Sequence, residues 1–336
     1  VGWLTKEDVL DDLHVKSLEN TLETYDLQVH GHNKYVEYLA DRNRLTIPDE
    51  DGNLIEFIIA ESIKKKGRTH TVRVLAKASY KELIKTKVIR PTTLNEYTVS
   101  MLTGWALDGS EWQVGIIESD NYRTMTIENP TNPYELLKRI ANEFNLELRF
   151  RVEHDGNRIT GRFVDLLERV GSWQGREVEF GHDLNSIERS EKTENIVTCL
   201  VGYGPEREDG TRLEVIVKDD EAIQRWGELW DFYEPQSSRL EMTESELRQY
   251  TRTELDKRIN AVVTYKADII DLANVPGMEN KKIRFGDTIH IKDLKFNPAL
   301  YLEARVFEQR RSLFKRARKQ VKLGDFTEFT KEEVDA

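Results

Sequence analysis

Through its opening third the chain repeatedly alternates apolar and polar residues with a period of two, as in Tyr25-Asp26-Leu27-Gln28-Val29 and Thr71-Val72-Arg73-Val74-Leu75. That is the pattern of strands that bury one face. The run Asp49-Glu50-Asp51-Gly52-Asn53 holds an Asp-Gly pair ahead of the apolar segment Leu54–Ala60 and predicts a hairpin turn, because glycine reaches positive φ without steric cost. At Ser79 a serine stands three residues before Glu82, the reciprocal capping arrangement. A short helix is therefore expected from there to about Ile89, stopped by Pro91.

The period then lengthens. Asn132-Pro133 opens a segment with Glu135 at its third helical position and Leu136, Leu137, Ile140, Ala141 and Phe144 at helical spacing, so a capped amphipathic helix is expected. The segments Glu147–Glu153 and Arg158–Val164 flank His154-Asp155-Gly156-Asn157 and read as a hairpin beside it. A second β-rich stretch starts near Val178, runs through Ile196-Val197-Thr198-Cys199-Leu200-Val201 and breaks after Gly202–Gly210. Residues 218–260 then read as helical, with a second capping box at Thr243-Glu244-Ser245-Glu246. Strands return over Ala261–Ile270, Ile283–Ile291 and a hairpin from Leu302 to Leu323.

The expected fold class is α+β and β-rich, in several domains. Residues 1–90 form a first barrel-like β domain and 91–177 an α+β domain; 178–217 with 261–326 form a second, discontinuous barrel-like domain, 218–260 a helical insertion and 327–336 a tail.

Composition narrows the chemistry. The 336 residues carry 50 Lys+Arg against 61 Asp+Glu, a net charge of −11, which argues against a general nucleic-acid coat. No uncharged apolar run approaches the ~18 residues of a membrane span, and no leader pattern opens the chain, so a soluble protein is expected. The first residue is Val rather than Met, a hint of a piece of something longer. A single cysteine, Cys199, excludes an internal disulfide framework and a cysteine-based zinc site; mid-strand between apolar neighbours, it reads as a small buried hydrophobe rather than a nucleophile.

His30 and His32 would share one side of a strand, but two ligands are not a metal site, and a solvated strand end at Gly31 explains them as well. Paired carboxylates of a glycosidase cannot be picked out of 61 acids. Gly202-Tyr203-Gly204-Pro205 looks like the start of a phosphate-binding turn, but Pro205 removes a donor and the third glycine is missing, so an ordinary turn is expected. No catalytic, cofactor or metal residue is assigned. The one candidate interaction segment is basic: Arg310, Arg311, Lys315, Arg316, Arg318 and Lys319 fall within ten residues, which suits phosphate, a docking partner or plain solvation. Trp226 and Trp230, four apart, read as one packing face of a helix, with a receptor- or carbohydrate-binding role as the rival. Trp105 and Trp112 read as core.

Three stretches resemble, in order and separation, the hub proteins of bacteriophage and prophage tails, the prophage endopeptidase tail or phage minor structural protein family. They are Leu102-Thr103-Gly104-Trp105 through Trp112-Gln113-Val114-Gly115, Arg123-Thr124 and Asn132–Leu137; Phe180-Gly181-His182-Asp183-Leu184-Asn185-Ser186-Ile187 into Ile196–Leu200; and Phe285-Gly286-Asp287-Thr288-Ile289-His290-Ile291, Asp293, Glu303-Ala304-Arg305-Val306 and Val321–Phe326. The resemblance implies a homotrimeric ring in which two barrel-like domains per chain approximate sixfold symmetry, adapting a sixfold tail to a threefold tip in the virion baseplate. It implies as partners a distal tail protein ring and tail-tip or receptor-binding proteins, with DNA passing through the lumen, and synthesis in the bacterial host cytoplasm. The alternative is a cell-wall-degrading endopeptidase or glycosidase; in the family that activity is carried by a C-terminal extension, so no cofactor and no catalytic residue is expected in this stretch. Bottom-up, Gly286-Asp287 makes a tight turn into a strand with Ile289 and Ile291 inward, closed by Asp293.

Overall fold

The computed structural model of the chain describes residues 2–18, 22–156, 158–207, 210–235, 242–270, 272, 276–278, 281–315 and 319–329. It has two compact units, residues 1–187 with 266–336 and residues 188–265.

In the first unit, β1 (Val9–Ser17), β2 (Leu22–His30), β3 (Arg44–Pro48), β4 (Leu54–Lys66) and β5 (His70–Ala78) pair antiparallel in the order β1-β2-β5-β4-β3. The period of two sets the inward face: Leu27 lies opposite Val74 and Val29 opposite Val72, and all four are buried. The Asp-Gly turn forms as expected. Gly52 takes φ 88°, and the Asp49 carboxylate accepts the backbone N–H groups of Asp51 and Asn53.

The cap expected at Ser79 does not form. Ser79 is buried and bonded to Glu56, while Glu82 receives both terminal nitrogens of Arg42 at 2.8 Å. Tertiary partners outcompete the local bond. The segment makes a 3-10 turn over Ser79–Glu82, one turn of α1 (Leu83–Thr86), and is extended again by Lys87.

Next come β6 (Thr92–Thr98), α2 (Val99–Leu107), β7 (Gln113–Ile117), β8 (Tyr122–Ile127), α3 (Pro133–Glu143), β9 (Glu147–His154) and β10 (Ile159–Leu167). They give a three-stranded sheet β7-β10-β9 and a pair β6-β8. The Asn132 side chain accepts the Glu135 N–H at 3.0 Å, and Leu136, Leu137, Ile140 and Ala141 are buried. One apolar cluster runs from Val29 and Val74 through Leu102 and Leu137 to Val164, so the first five strands and this α+β segment share a core. Asn132→Ala should cost about 1 kcal/mol, the usual worth of an N-cap, read as a lowered denaturant midpoint with an unchanged slope.

β11 (Trp173–Glu179) and β12 (Leu184–Lys192) follow, and along β12 the chain enters the second unit. That unit holds β13 (Cys199–Glu206), β14 (Arg212–Lys218), α4 (Asp220–Trp226), β15 (Trp230–Tyr233) and α5 (Glu244–Asp256). β13 lies between antiparallel β14 and parallel β15. The capping box at Thr243 is complete, with the Glu246 N–H on Thr243 Oγ1 and the Thr243 N–H on Glu246 Oε2. Two expectations are corrected here. Gly202–Pro205 is strand, not turn: a Cβ on Gly202 would stand 1.9 Å from Thr251 Oγ1. Gly202 lets α5 close on the sheet. Trp226 and Trp230 share no helix, because α4 ends at Trp226, Gly227 takes φ 84°, and Trp230 opens β15.

The chain returns through β16 (Val262–Ile269) to β17 (Thr288–Asp293), β18 (Leu300–Arg311) and β19 (Lys319–Phe329). β17 starts later than the Ile283 expected, directly after the Gly286-Asp287 turn, and the Asp293 carboxylate closes it by accepting the Lys295 and Phe296 N–H groups. β18 is the strand that organises the unit. Along one edge Leu300–Arg305 pairs with β17 and Glu308–Arg311 with β1; the other edge pairs with β19. The result is an 11-stranded sheet with the path β12-β16-β19-β18-β1-β2-β5-β4-β3, β17 branching from β18 and β11 lying parallel to β17. The β-rich α+β class holds, but the sheets are not closed into barrels. Strands of the two expected lobes continue one another along β18 instead of curling separately.

Candidate interaction surfaces

Strand alternation splits the basic segment at the C-terminal hairpin. Arg310 is exposed, with Nε on Glu308 at 3.0 Å, and Lys315 is exposed, with Nζ on Asp11 at 2.7 Å. Arg311 and Lys319 point inward. Lys319 Nζ reaches Glu50 Oε1 at 2.9 Å and the Ile283 carbonyl at 2.6 Å; Arg311 donates to the Pro48 carbonyl at 2.6 Å and lies 3.5 Å from Glu50. Arg316 and Arg318 lie outside the described residues.

The inward cations extend into a buried polar chain. Arg311 Nε donates to His14 Nδ1 at 3.1 Å, and because arginine has only donors, the His14 proton sits on Nε2, from which it donates to Glu23 at 3.1 Å. Burial holds His14 below its ordinary pKa. Burial opposes the charge on Glu23 too, but Lys16 at 3.2 Å and the His14 bond outweigh it, and Glu23 is lowered to about 2. A carboxylate whose pKa falls on folding adds stability above its unfolded value, near 4.5, and loses it as pH drops toward 2. Glu23→Gln should therefore flatten the fall in unfolding free energy between pH 5 and about pH 2, measured by denaturant titration across that range.

Cys199 is fully buried in β13. His30 and His32 have ring centroids 5.3 Å apart at the end of β2, and the His70 ring lies against Gly31; still, among the described residues no group of three or more His, Cys, Asp or Glu could hold a metal ion. The cleft beside Lys16, Glu23, Tyr80, Phe150 and Phe285 has a volume of about 30 Å³, room for a water or two rather than a peptide or glycan. Trp112 is buried, and Trp105 packs against the same core.

Two exposed surfaces are more distinctive than the segment chosen from sequence. On the second unit, Trp230 and Phe232 alternate on β15, 50% and 62% exposed, with Lys218 Nζ 4.7 Å from the Trp230 ring centre. On the first unit, the tip of the β4–β5 hairpin carries Lys64, Lys65, Lys66 and Arg68, all exposed. The signal for the second was present in the sequence: residues 62–81 hold seven Lys and Arg and no Asp or Glu.

Comparison with known proteins sets this architecture in a class. The family model described as prophage endopeptidase tail matches residues 173–332. The fold is that of prophage tail proteins. The 43 kDa tail protein of prophage MuSo2 from Shewanella oneidensis aligns with a TM-score of 0.67 at 14% identity, over 96% of this chain and 94% of that one. A tail protein from Neisseria meningitidis MC58 aligns at 0.63 and 12% identity, over 94% and 91%. Prophage tail protein gp18 from Listeria monocytogenes EGD-e gives 0.54 and 12%, over 98% and 90%. No curated protein matches the sequence. The phage-tail resemblance carried by the motifs is thus shown; the second and third stretches lie inside the matched span, and the first, Leu102–Leu137, lies before it.

Proposed function

We propose that this chain is a structural hub of a bacteriophage or prophage tail tip or baseplate, three copies closing a ring that adapts a sixfold tail to a threefold tip around the DNA conduit. The observation that carries the reading is end-to-end likeness: the chain and the Shewanella prophage tail protein cover 96% and 94% of each other, so the whole architecture is shared and not one module of it. The limits 90, 177 and 326 with the 218–260 insertion are its proposed domain frame. Its partners are a distal tail protein ring and tail-tip or receptor-binding proteins, its place is the virion tail tip, and it is made in the bacterial host cytoplasm. Arg310 and Lys315 are the described, exposed part of the basic segment available to such partners. No described helix is long and apolar enough to cross a membrane.

Ring closure needs a heterologous interface, one face of a copy against a different face of the next. Light scattering should give three times the 39.2 kDa chain mass, alone or with the distal tail protein. A strict monomer at high concentration under both conditions overturns the ring. Clearing of bacterial cell walls in a zymogram would replace the purely structural role with the endopeptidase or glycosidase alternative.

A further inference from the structure

We propose that the tip of the β4–β5 hairpin is a contact for the phosphodiester backbone of duplex DNA. The inference deepens the tail reading and rests on it for the presence of DNA; the residues come from the geometry.

Lys66 pairs with His70, Lys65 with Thr71 and Lys64 with Val72, so the strands stay paired to their ends, and Gly67, Arg68 and Thr69 make the connection. With side chains alternating at about 3.3 Å per residue, Lys64 and Lys66 project from one face about 7 Å apart, and Lys65 projects from the other. That interval is on the scale of the separation between neighbouring phosphates of a DNA strand, whose charges recur every ~3.4 Å along the helix axis. Arg68 extends from the connection itself. None of these four cations has a hydrogen bond or ion pair to a carboxylate among the described residues, whereas Arg73 one strand position deeper is held by Asp26, Arg310 by Glu308 and Lys315 by Asp11.

Like charges this close repel, and a chain with net charge −11 has acids to spare for neutralising them. It places none: residues 62–81 contain no Asp or Glu. The tip also lacks what a protein partner would need. Stable protein interfaces centre on desolvated aromatic or aliphatic anchors; from Lys64 through His70 there are only cations, Gly67, Thr69 and an imidazole, and the one large aliphatic side chain exposed beside them is Ile63 at the base of the tip. A surface of cations without an apolar centre fits a regular polyanion, read through its phosphates and blind to base sequence.

The test is fluorescence anisotropy of a labelled 30-base-pair duplex with the full chain. If four phosphates are neutralised, affinity should fall roughly a hundredfold between 50 and 200 mM salt. Replacing Lys64, Lys65, Lys66 and Arg68 together by Gln should weaken binding at least tenfold at 50 mM salt with an unchanged thermal melt. The control Lys85→Gln with Arg90→Gln, two exposed cations elsewhere on the same unit, should bind as the parent does. Absence of binding at 50 mM salt, an unaffected quadruple variant, or equal capture of anionic phosphatidylglycerol vesicles or polyglutamate overturns the assignment. Light scattering on the same samples separates the two proposals. A trimer that ignores DNA sinks the hairpin contact and leaves the tail reading standing, whereas a monomer that binds DNA through the hairpin sinks the ring.

Discussion

Glu50→Gln should destabilise the first unit by about 3–5 kcal/mol, the range for removing one partner of a buried ion pair, seen as a lower denaturant midpoint. Glu50 is nearly buried and accepts from Lys319 at 2.9 Å and from Gln309 at 2.5 Å, with Arg311 3.5 Å away. Burial opposes its ionisation, but Lys319 and Arg311 overcome this and hold its pKa well below the usual carboxylate range. Glutamine keeps the shape, removes the charge and turns an amide group toward donors that need an acceptor. Lys319, 1% exposed, would then be a charge inside the protein that has lost the counter-ion Glu50 supplies at 2.9 Å. Adding Lys319→Met should recover a large part of the loss, because it removes the stranded charge; the double-mutant cycle measures the coupling. If Glu50→Gln costs under 1 kcal/mol, the network is better solvated than its burial indicates.

These same residues show where a sequence stops being informative. The ten-residue run of cations from Arg310 is conspicuous as composition, yet Arg311 and Lys319 are core residues because β18 and β19 turn them toward Glu50, 261 and 269 positions away. No local pattern encodes that partner. Elements whose determinants are local are legible: α3 from Asn132, Pro133 and its apolar stripe, α5 from the Thr243–Glu246 box, and the Asp-Gly hairpin at Gly52. Where a local signal has a distant competitor it fails, as at Ser79, which bonds to Glu56, and Glu82, which is taken by Arg42. Gly202 carries the other ambiguity of glycine. Turn and close packing demand the same residue, and only the position of α5 tells them apart. Barrel closure depends on which strand β18 borrows at each end, a pairing between Arg311 and His14 across nearly the whole chain. The hairpin tip, by contrast, is readable from sequence as an interval without acids.

Gly286→Ala should cost about 3–4 kcal/mol, well beyond what its backbone angle alone predicts. Gly286 takes φ 85°, a region that disfavours any Cβ by roughly 1–2 kcal/mol. The rest comes from what surrounds it. A Cβ there would stand 2.6 Å from the Val170 carbonyl oxygen, and one on Gly171 would stand 2.2 Å from the Gly286 carbonyl carbon, so two backbones pass with no side chain between them. Neither can retreat cheaply. Arg305 donates to the Gly286 carbonyl at 3.1 Å, to the Val170 carbonyl at 2.5 Å and to both Glu147 oxygens at 2.6 Å, while the Asp287 carboxylate accepts the Ser172 N–H at 2.9 Å. Moving Val170 aside would break hydrogen bonds to a buried guanidinium, the kind worth about 1.5–3 kcal/mol each. Gly52→Ala is the matched control: its φ is 88° but nothing lies within 4 Å of its Cβ position, so it should cost only the backbone share. Gly171→Ala should cost about as much as Gly286→Ala, and the pair less than their sum, since both open the same contact. Equal losses at Gly52 and Gly286 would mean that the crossing relaxes freely and that Arg305 does not pin it.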